Sequence, residues 1–592
     1  MKRDGVTVRI ETSLDAREIH PEAEASSLRL TQWLRSRGKP LNTRCGGRGL
    51  CDACLVDVVE GSLRRIADGG ARVSVGEGGS AVRVRACEAA LIEGESVTLR
   101  VPDKSLMAFE PQVIADFRLE VPIGKQPLWP GADEPAGNRE RPTEGSPLAA
   151  AIDVGTTTVA VLLIDLDTGA VAARASALNR QTHLGDDVLT RINLCMTDPS
   201  LIDRFQEAIV NETVAPLLAQ SLQSAGASFE RLVSVVAAGN ATMLHLLLAE
   251  DPTPMGVAPF TPRFIDHRVA PMSSTDFRWP RPTDPDAAPP PEVKRDPSLH
   301  VLPGVAAYVG ADLTAGVVAT GMRYDPGVSL LVDVGTNGEI ILKHDHKLLG
   351  CATAAGPAFE GSKLCDGVRA ARGAISHIDI HRLDPVDLEI EIIGHDARPG
   401  AGNARRPKPI GVCGSAYIDF LAEGGRTGLL DPVGRFNRDA TPAIGQRLIQ
   451  ADCHSQCFVI AHGSGREPIC ITEADVASLL QAKAAIAAGI VTLLHRRGLT
   501  PADVDTLYLA GGFGLHVRVP SAIACGLLPG FREDQVELVG NTSLAGAFMA
   551  AMDKSVLDEM ESVAAACEII ELNLDPGFEL NYIEQLSLPG AA

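Results

Sequence analysis

No stretch of this chain is an unbroken apolar run of about 18 residues, the length a membrane-spanning helix needs. Residues 1–13, MKRDGVTVRIETS, carry basic side chains but lack the apolar core of a secretory signal. Positive charge is scarce as well: 54 Lys and Arg stand against 75 Asp and Glu, a net charge of −21. Sequence-independent nucleic-acid binding needs clustered cations to neutralise phosphates, so that class is excluded. These absences point to a cytoplasmic protein with no membrane and no nucleic acid among its partners. There, the 13 cysteines are expected as reduced thiols or metal ligands rather than disulfides.

What is present is a long globular chain. At 592 residues, with 45% hydrophobic and 22% charged residues, roughly three or four domains are expected. Near the start, residues 6–11 (VTVRIE) alternate as a strand does, and residues 28–35 suit a short helix. TRCGGRGLCDAC follows, and later RVRACEAA, so Cys45, Cys51, Cys54 and Cys87 form a C-x5-C-x2-C pattern with a distant fourth member. Four thiolates are the ligand set of a 2Fe-2S cluster, and Gly46, Gly47 and Gly49 allow a loop to curve tightly around one. Structural zinc is the alternative, but zinc sites favour two paired C-x2–4-C units and Cys87 has no cysteine neighbour. Cys453 and Cys457 flank His454 without a second pair nearby, so no second metal centre is expected.

One phrase occurs twice. Residues 149–158 read AAAIDVGTTT and residues 329–339 read SLLVDVGTNGE, placing Asp153 and Asp333 a domain's length apart. A buried strand ending in Asp-Val-Gly-Thr brings a carboxylate and several backbone N–H groups to one point, which suits a magnesium-bound phosphate. In the first copy the candidate phosphate residues are Gly155, Thr156 and Thr157; in the second they are Gly335, Thr336 and Asn337. A third element, residues 506–510 running into Gly511, Gly512 and Gly514, offers a flat backbone for a base and ribose. Asp312 is a third carboxylate worth testing. Between these loops, residues 203–225 suit a long amphipathic helix, 232–238 a buried strand, and 472–498 a helix with a Thr472/Asp475 capping box. Residues 124–147, rich in Pro, Gly and charge, are expected as an extended, mobile linker, with a short strand within 112–122. Residues 279–298 and 397–409 are expected as exposed loops.

The cysteine spacing resembles 2Fe-2S ferredoxins of the β-grasp type, nearer the adrenodoxin-like branch than the plant one. The later order of phosphate loop, helix, second phosphate loop and adenosine loop resembles the ASKHA superfamily of sugar kinases, heat-shock chaperones and actin. GNATMLHLLL, YVGADLTAG, DVGTNGEI, AAGPAFEG, GVCGSAYID, AKAAIAAGI and AGGFG are similar to ATP-dependent reductive activators of corrinoid proteins. The resemblance implies a multidomain chain: an α+β ferredoxin-type domain over 1–103, a connector over 104–147, and an α/β ASKHA domain over 148–592 with lobes of 148–328 and 329–592.

It also implies a reaction. A low-potential donor protein or reductase passes one electron through the cluster to a corrinoid protein, taking Co(II) to Co(I) with ATP and Mg2+ and supporting a methyltransferase system. Asp153 and Asp333 would organise magnesium, and a homodimer through the ASKHA domain is compatible with it. Two other readings stand beside this one: an ATP-driven activator of an iron–sulfur dehydratase or reductase, and a nucleotide-sensing electron-transfer protein that hydrolyses nothing. Two departures are visible. The connector is short for the separate middle domain of well-known members, and Arg180 stands where the family pattern has proline.

Overall fold

A computed structural model describes the chain apart from residues 1–6, 12–15, 22–24, 38–40, 42–53, 67–69, 77–79, 102–125, 130–141, 143–144, 186, 280–295, 362–363, 369, 371–372, 394–408, 410, 439–444, 446, 451–455, 463–467, 512–515 and 590–592. The N-terminal unit is a mixed sheet with one helix packed on it. Its strands are β1 (Val8–Glu11), β2 (Ala16–Ile19), β3 (Leu55–Glu60), β4 (Val82–Arg85) and β5 (Val97–Arg100), in the order β2-β1-β5-β3-β4. β1 and β5 run parallel and the other pairs antiparallel. Val8 and Ile10 point inward while Arg9 is exposed, the alternation a half-buried strand requires. Trp33 and Leu34 of α1 (Leu30–Ser36) share the core with Val56, Val58 and Leu99.

Beyond it lie two sheets built to one plan. The first joins β6 (Leu148–Val154), β7 (Thr158–Asp165), β8 (Val171–Leu178), β9 (Leu232–Gly239), β10 (Arg268–Pro271) and β11 (Ser298–Val301) in the order β8-β7-β6-β9-β11-β10. The second joins β12 (Ser329–Val334), β13 (Gly338–His344), β14 (Lys347–Thr353), β15 (Thr506–Ala510), β16 (Val536–Gly540) and β17 (Cys567–Ile569) in the order β16-β15-β12-β13-β14-β17. In each, a three-stranded antiparallel meander pairs through its first strand with a parallel strand from later in the chain. Parallel strands covered on both faces read as continuous apolar runs, as LVSVVAA and TLYLA do. This is the duplicated α/β plan that the repeated phrase implies.

Packing does not follow chain order. Helix α6 (Thr542–Met552) comes late in sequence but is buried along its whole length, in one core with β6, β9 and α4 (Ala311–Thr320). The two helices meet through small residues: a Cβ on Gly546 would lie 2.4 Å from Ala315 Cβ and 2.6 Å from its Cα. Backbone on both sides leaves little room to adjust. Gly546→Leu should therefore cost at least the ~1–3 kcal/mol of an overpacked core, seen in calorimetry as a lowered unfolding temperature for this lobe.

Two expectations need correction, and a third falls almost wholly outside the described residues. Part of the supposedly mobile linker is docked: Gln126 bridges to Asp553, the Leu128 N–H donates to Ala551 O (3.0 Å), and Lys554 N–H donates to Gln126 O (2.8 Å). Leu128 and Trp129 are buried in the first-lobe core, and that apolar pair explains the docking. At the edge of the Pro-rich loop, Trp279 packs edge-on against Phe229 with centroids 4.0 Å apart; residues 280–295 and 397–408 lie outside the described residues. The long helix expected near 203–225 is helical but contains a π turn, Val210–Val214, between α2 (Leu201–Ile209) and α3 (Ala215–Ser224).

α5 (Glu473–Arg496) starts on the expected capping box, Thr472 with Asp475. It is long and apolar enough to cross a membrane by length and composition, yet 78% of its apolar window is buried inside the molecule, where it serves as a core helix. The strand expected within 112–122, together with Cys453 and His454, lies outside the described residues.

Candidate nucleotide and redox sites

The two repeated loops meet. Thr157 Oγ1 and Thr336 Oγ1 share a buried hydrogen bond of 2.8 Å across 179 positions of sequence. The first loop is tied from behind: Asn179 Nδ2 donates to Gly155 O (2.9 Å) and the buried Arg191 donates to Thr156 O (2.6 Å). Holding those carbonyls on the protein side suits a loop that turns its N–H groups toward an anion. Arg191 is itself fixed by Gly185 O (2.9 Å) and Gln181 Oε1 (2.8 Å). Arg180, the departure from the expected proline, donates its backbone N–H to Thr213 Oγ1 (3.1 Å), a bond proline could not make.

Around the loops stand four carboxylates. Asp153 is the penultimate residue of β6, and Asp333 is the penultimate residue of β12, directly across from Glu339 on β13. Asp312 lies in the first turn of α4. Like charges directly opposite on neighbouring strands repel, so the Asp333–Glu339 pair costs stability unless something neutralises it. Burial first, then Asp312 and Asp153, pushes Asp333 up to about 8. Burial together with Asp153 raises Asp312 to about 7. Glu339 is raised well above the usual range by burial, Asp312 and Asp333. Asp153 is also raised by burial, but two hydrogen bonds oppose that shift: Ser543 Oγ to Oδ1 (2.7 Å) and Asn541 Nδ2 to Oδ2 (2.8 Å).

Gly511 closes the site from the second sheet. Its φ is +95°, and a Cβ there would lie 2.4 Å from Val334 O and 2.8 Å from Asp333 Oδ1. Gly239, the last residue of the equivalent strand β9, presses against Val154 O in the same way. Gly512 and Gly514 lie outside the described residues, so Gly511 alone represents the expected adenosine loop.

Among the described residues, no three carboxylates, histidines or thiols are arranged to hold a metal ion by themselves. The acid set nonetheless fits a magnesium ion that keeps water and phosphate ligands, since such ions take only one or two carboxylates from the protein. The four buried acids, whose ionisation burial opposes, would supply the negative charge once a cation offsets that cost.

In the N-terminal unit, Cys54 and Cys87 are both buried and adjacent. Hydrogen bonding from Cys87, outweighing burial, pulls Cys54 down to about 6. A thiol that ionises so readily suits a metal centre. Cys45 and Cys51 lie outside the described residues. Two of the four expected ligands are thus brought together, and their chemistry fits the cluster.

Sequence reading passed over Arg191, Asn179, Asn541 and Ser543 and assigned no role to Glu339. Glu339 was within reach, because a three-residue turn after Val334 sets it opposite Asp333.

Two family models match consecutive stretches of the chain. The middle region of RACo matches residues 148–325, and the C-terminal domain of RACo, the ASKHA domain, matches 327–592. The chain belongs to the RACo family. The middle region, for which the short connector left no room, is thus matched within the first sheet unit rather than between 104 and 147. A corrinoid activation enzyme, RamQ of Eubacterium limosum, is 28% identical over 93% of this chain and 94% of its own length. A Co(II) methylated amine-specific corrinoid protein reductase of Methanosarcina barkeri is 28% identical over 45% of this chain and 46% of its own. Among solved structures, a reductive activator for a corrinoid, iron–sulfur protein superposes with a TM-score of 0.71 and 26% identity, covering 99% of both chains.

Proposed function

We propose that this RACo-family chain uses ATP to drive one electron through a 2Fe-2S centre to a corrinoid protein, converting Co(II) to Co(I). The observation that carries this reading is the pairing, in one chain, of a two-loop site lined by four buried acids with a buried thiol pair in which Cys54 is acidified. The likeness to RamQ and to the corrinoid protein reductase supports the choice of acceptor.

Energetics explain why both sites are needed. A plant-type 2Fe-2S centre sits near roughly −400 mV, and Co(I) formation generally demands a lower potential. Each ~59 mV of mismatch is a tenfold factor in a one-electron equilibrium. Coupling to nucleotide binding or hydrolysis can offset it.

Within the reading, each group acts by position. Asp153 and Asp333 would organise Mg2+, directly or through its waters, with Asp312 and Glu339 nearby, and the ion would supply positive charge against nucleotide phosphates. Thr156, Thr157, Thr336 and Asn337 would hydrogen-bond phosphate oxygens, and Gly155 and Gly335 let the backbone come close. Gly511, with Gly512 and Gly514, would receive the adenosine. Cys45, Cys51, Cys54 and Cys87 would hold the cluster. The Thr157–Thr336 bond joins the two loops, so nucleotide between them would bias how the lobes close.

The test is direct. The protein is purified without oxygen and mixed with corrinoid proteins of methyltransferase systems, a reductant and ATP. A Co(I) absorption band that requires ATP is the expected result. If the cluster is intact and no such corrinoid protein gives the band, the acceptor is wrong.

A further inference from the structure

Helix α6 touches the acid site at one end and the connector at the other. At its start, Asn541 caps the helix by accepting the Leu544 N–H (2.8 Å) while its Nδ2 donates to Asp153 Oδ2 (2.8 Å). Two residues on, Ser543 Oγ donates to Asp153 Oδ1 (2.7 Å). At its end, Ala551 O accepts the Leu128 N–H (3.0 Å), and Lys554 N–H, just beyond, donates to Gln126 O (2.8 Å). Eleven residues of helix rise about 16 Å, and every one of them here is buried.

Such an element cannot bend into solvent. The contact of Gly546 with Ala315 also leaves it little freedom to slide independently of α4, the helix that carries Asp312. A change in how the Asp153 carboxylate is held therefore acts on a rigid rod whose far end anchors residues 126–129. Rigid packed elements of this kind are what carry coupling between distant sites.

We propose that α6 couples the nucleotide site to the connector: Asn541 and Ser543 are positioning residues for Asp153, and the helix passes their state to the docked segment 126–129. That segment fixes where the chain from the Cys54–Cys87 unit leaves the first lobe. The coupling goes beyond the function above, because it needs nucleotide bound at Asp153 but no particular electron acceptor.

Hydrogen–deuterium exchange on the full chain, with and without Mg2+ and a non-hydrolysable ATP analogue, reads it out. The amides of Leu128 and Lys554 should exchange about fivefold more slowly, or slower still, with nucleotide bound, within the usual range of coupling factors. Ser543→Ala should remove the difference. Asn541→Asp should remove it too, although aspartate caps a helix as well as asparagine does, so a purely structural role for Asn541 predicts no change. Coupling is reciprocal, so Trp129→Ala should weaken nucleotide binding by the same factor, measured by calorimetry. Nucleotide that binds without slowing exchange at 126–129, or binds Trp129→Ala as tightly as wild type, would overturn the coupling. No nucleotide binding at all would remove the site itself, a failure calorimetry distinguishes.

Discussion

Asp333→Asn is expected to abolish ATP-dependent reduction while making the nucleotide-free protein more stable at pH 8. The first half follows from the site. Asp333 stands across from Glu339 and against Gly511, where its charge would meet the proposed nucleotide and its Mg2+. Removing one such group usually lowers turnover by about two to three orders of magnitude. The second half follows from linkage. Asp333 has its ordinary pKa of 3.8 in the unfolded chain and about 8 when folded, so the folded state binds more protons between those values. Its favourable contribution is fully present below pH 3.8 and is lost as pH rises through 8. Asp312, raised to about 7, and Glu339 act in the same direction. Asparagine keeps the shape and removes the charge, so the apo variant should melt above wild type at pH 8 and level with it near pH 4. Mg2+ with nucleotide should narrow the gap by stabilising wild type more. The visible spectrum of the cluster should not change. An Asp333→Asn protein that retains ATP-dependent reduction, or melts below wild type at pH 8, would sink this account of the acids.

How much of this was legible in sequence depends on how far apart the partners lie. Asp153 and Asp333 stood out because the same local grammar, buried strand then Asp-Val-Gly-Thr, appears twice and needs no tertiary knowledge. The Thr472/Asp475 box was legible for the same reason, since its partners are three residues apart. Glu339 required only a hairpin register, which an apolar-run reading ignores. Asn541 and Ser543 were not legible: they sit 388 and 390 positions from Asp153, on a helix that returns to the first lobe. No local pattern announces such a return. The connector misled for another reason. Its proline, glycine and charge outweighed two apolar side chains, Leu128 and Trp129, that are enough to dock it. Cys87 was found by composition alone; its contact with Cys54 depends on the turn Ala86–Glu88 folding back beside β3, where Ala86 N–H donates to Cys54 O (3.0 Å).

That contact supports the second large effect, which is the converse of the first. Cys87→Ala should lose the cluster, its visible absorption and all electron transfer, while nucleotide hydrolysis changes by less than about twofold. Three cysteines within ten positions can collapse on a metal locally, but the fourth ligand must come from elsewhere, and Cys87 is the described thiol beside Cys54. A 2Fe-2S centre needs four ligands, and alanine offers none. Without the Cys87 thiol, the strongest of the hydrogen bonds that acidify Cys54 is lost as well, which leaves burial opposed only by the weaker backbone ones. The acids and loops of the nucleotide site belong to a separate core, and effects at distant, independent sites add rather than couple. Metal analysis decides between the two centres the spacing allows: two irons per chain in wild type support the cluster, whereas one zinc with no visible band would replace it with a structural site. Should Cys87→Ala keep both its iron and its ATP-dependent electron transfer, the ligand set is wrong. With Asp333→Asn sparing the cluster and Cys87→Ala sparing the nucleotide site, each variant should fail in reduction of the corrinoid for its own reason, and mixing the two should restore it only if one chain's cluster can serve another chain's nucleotide site.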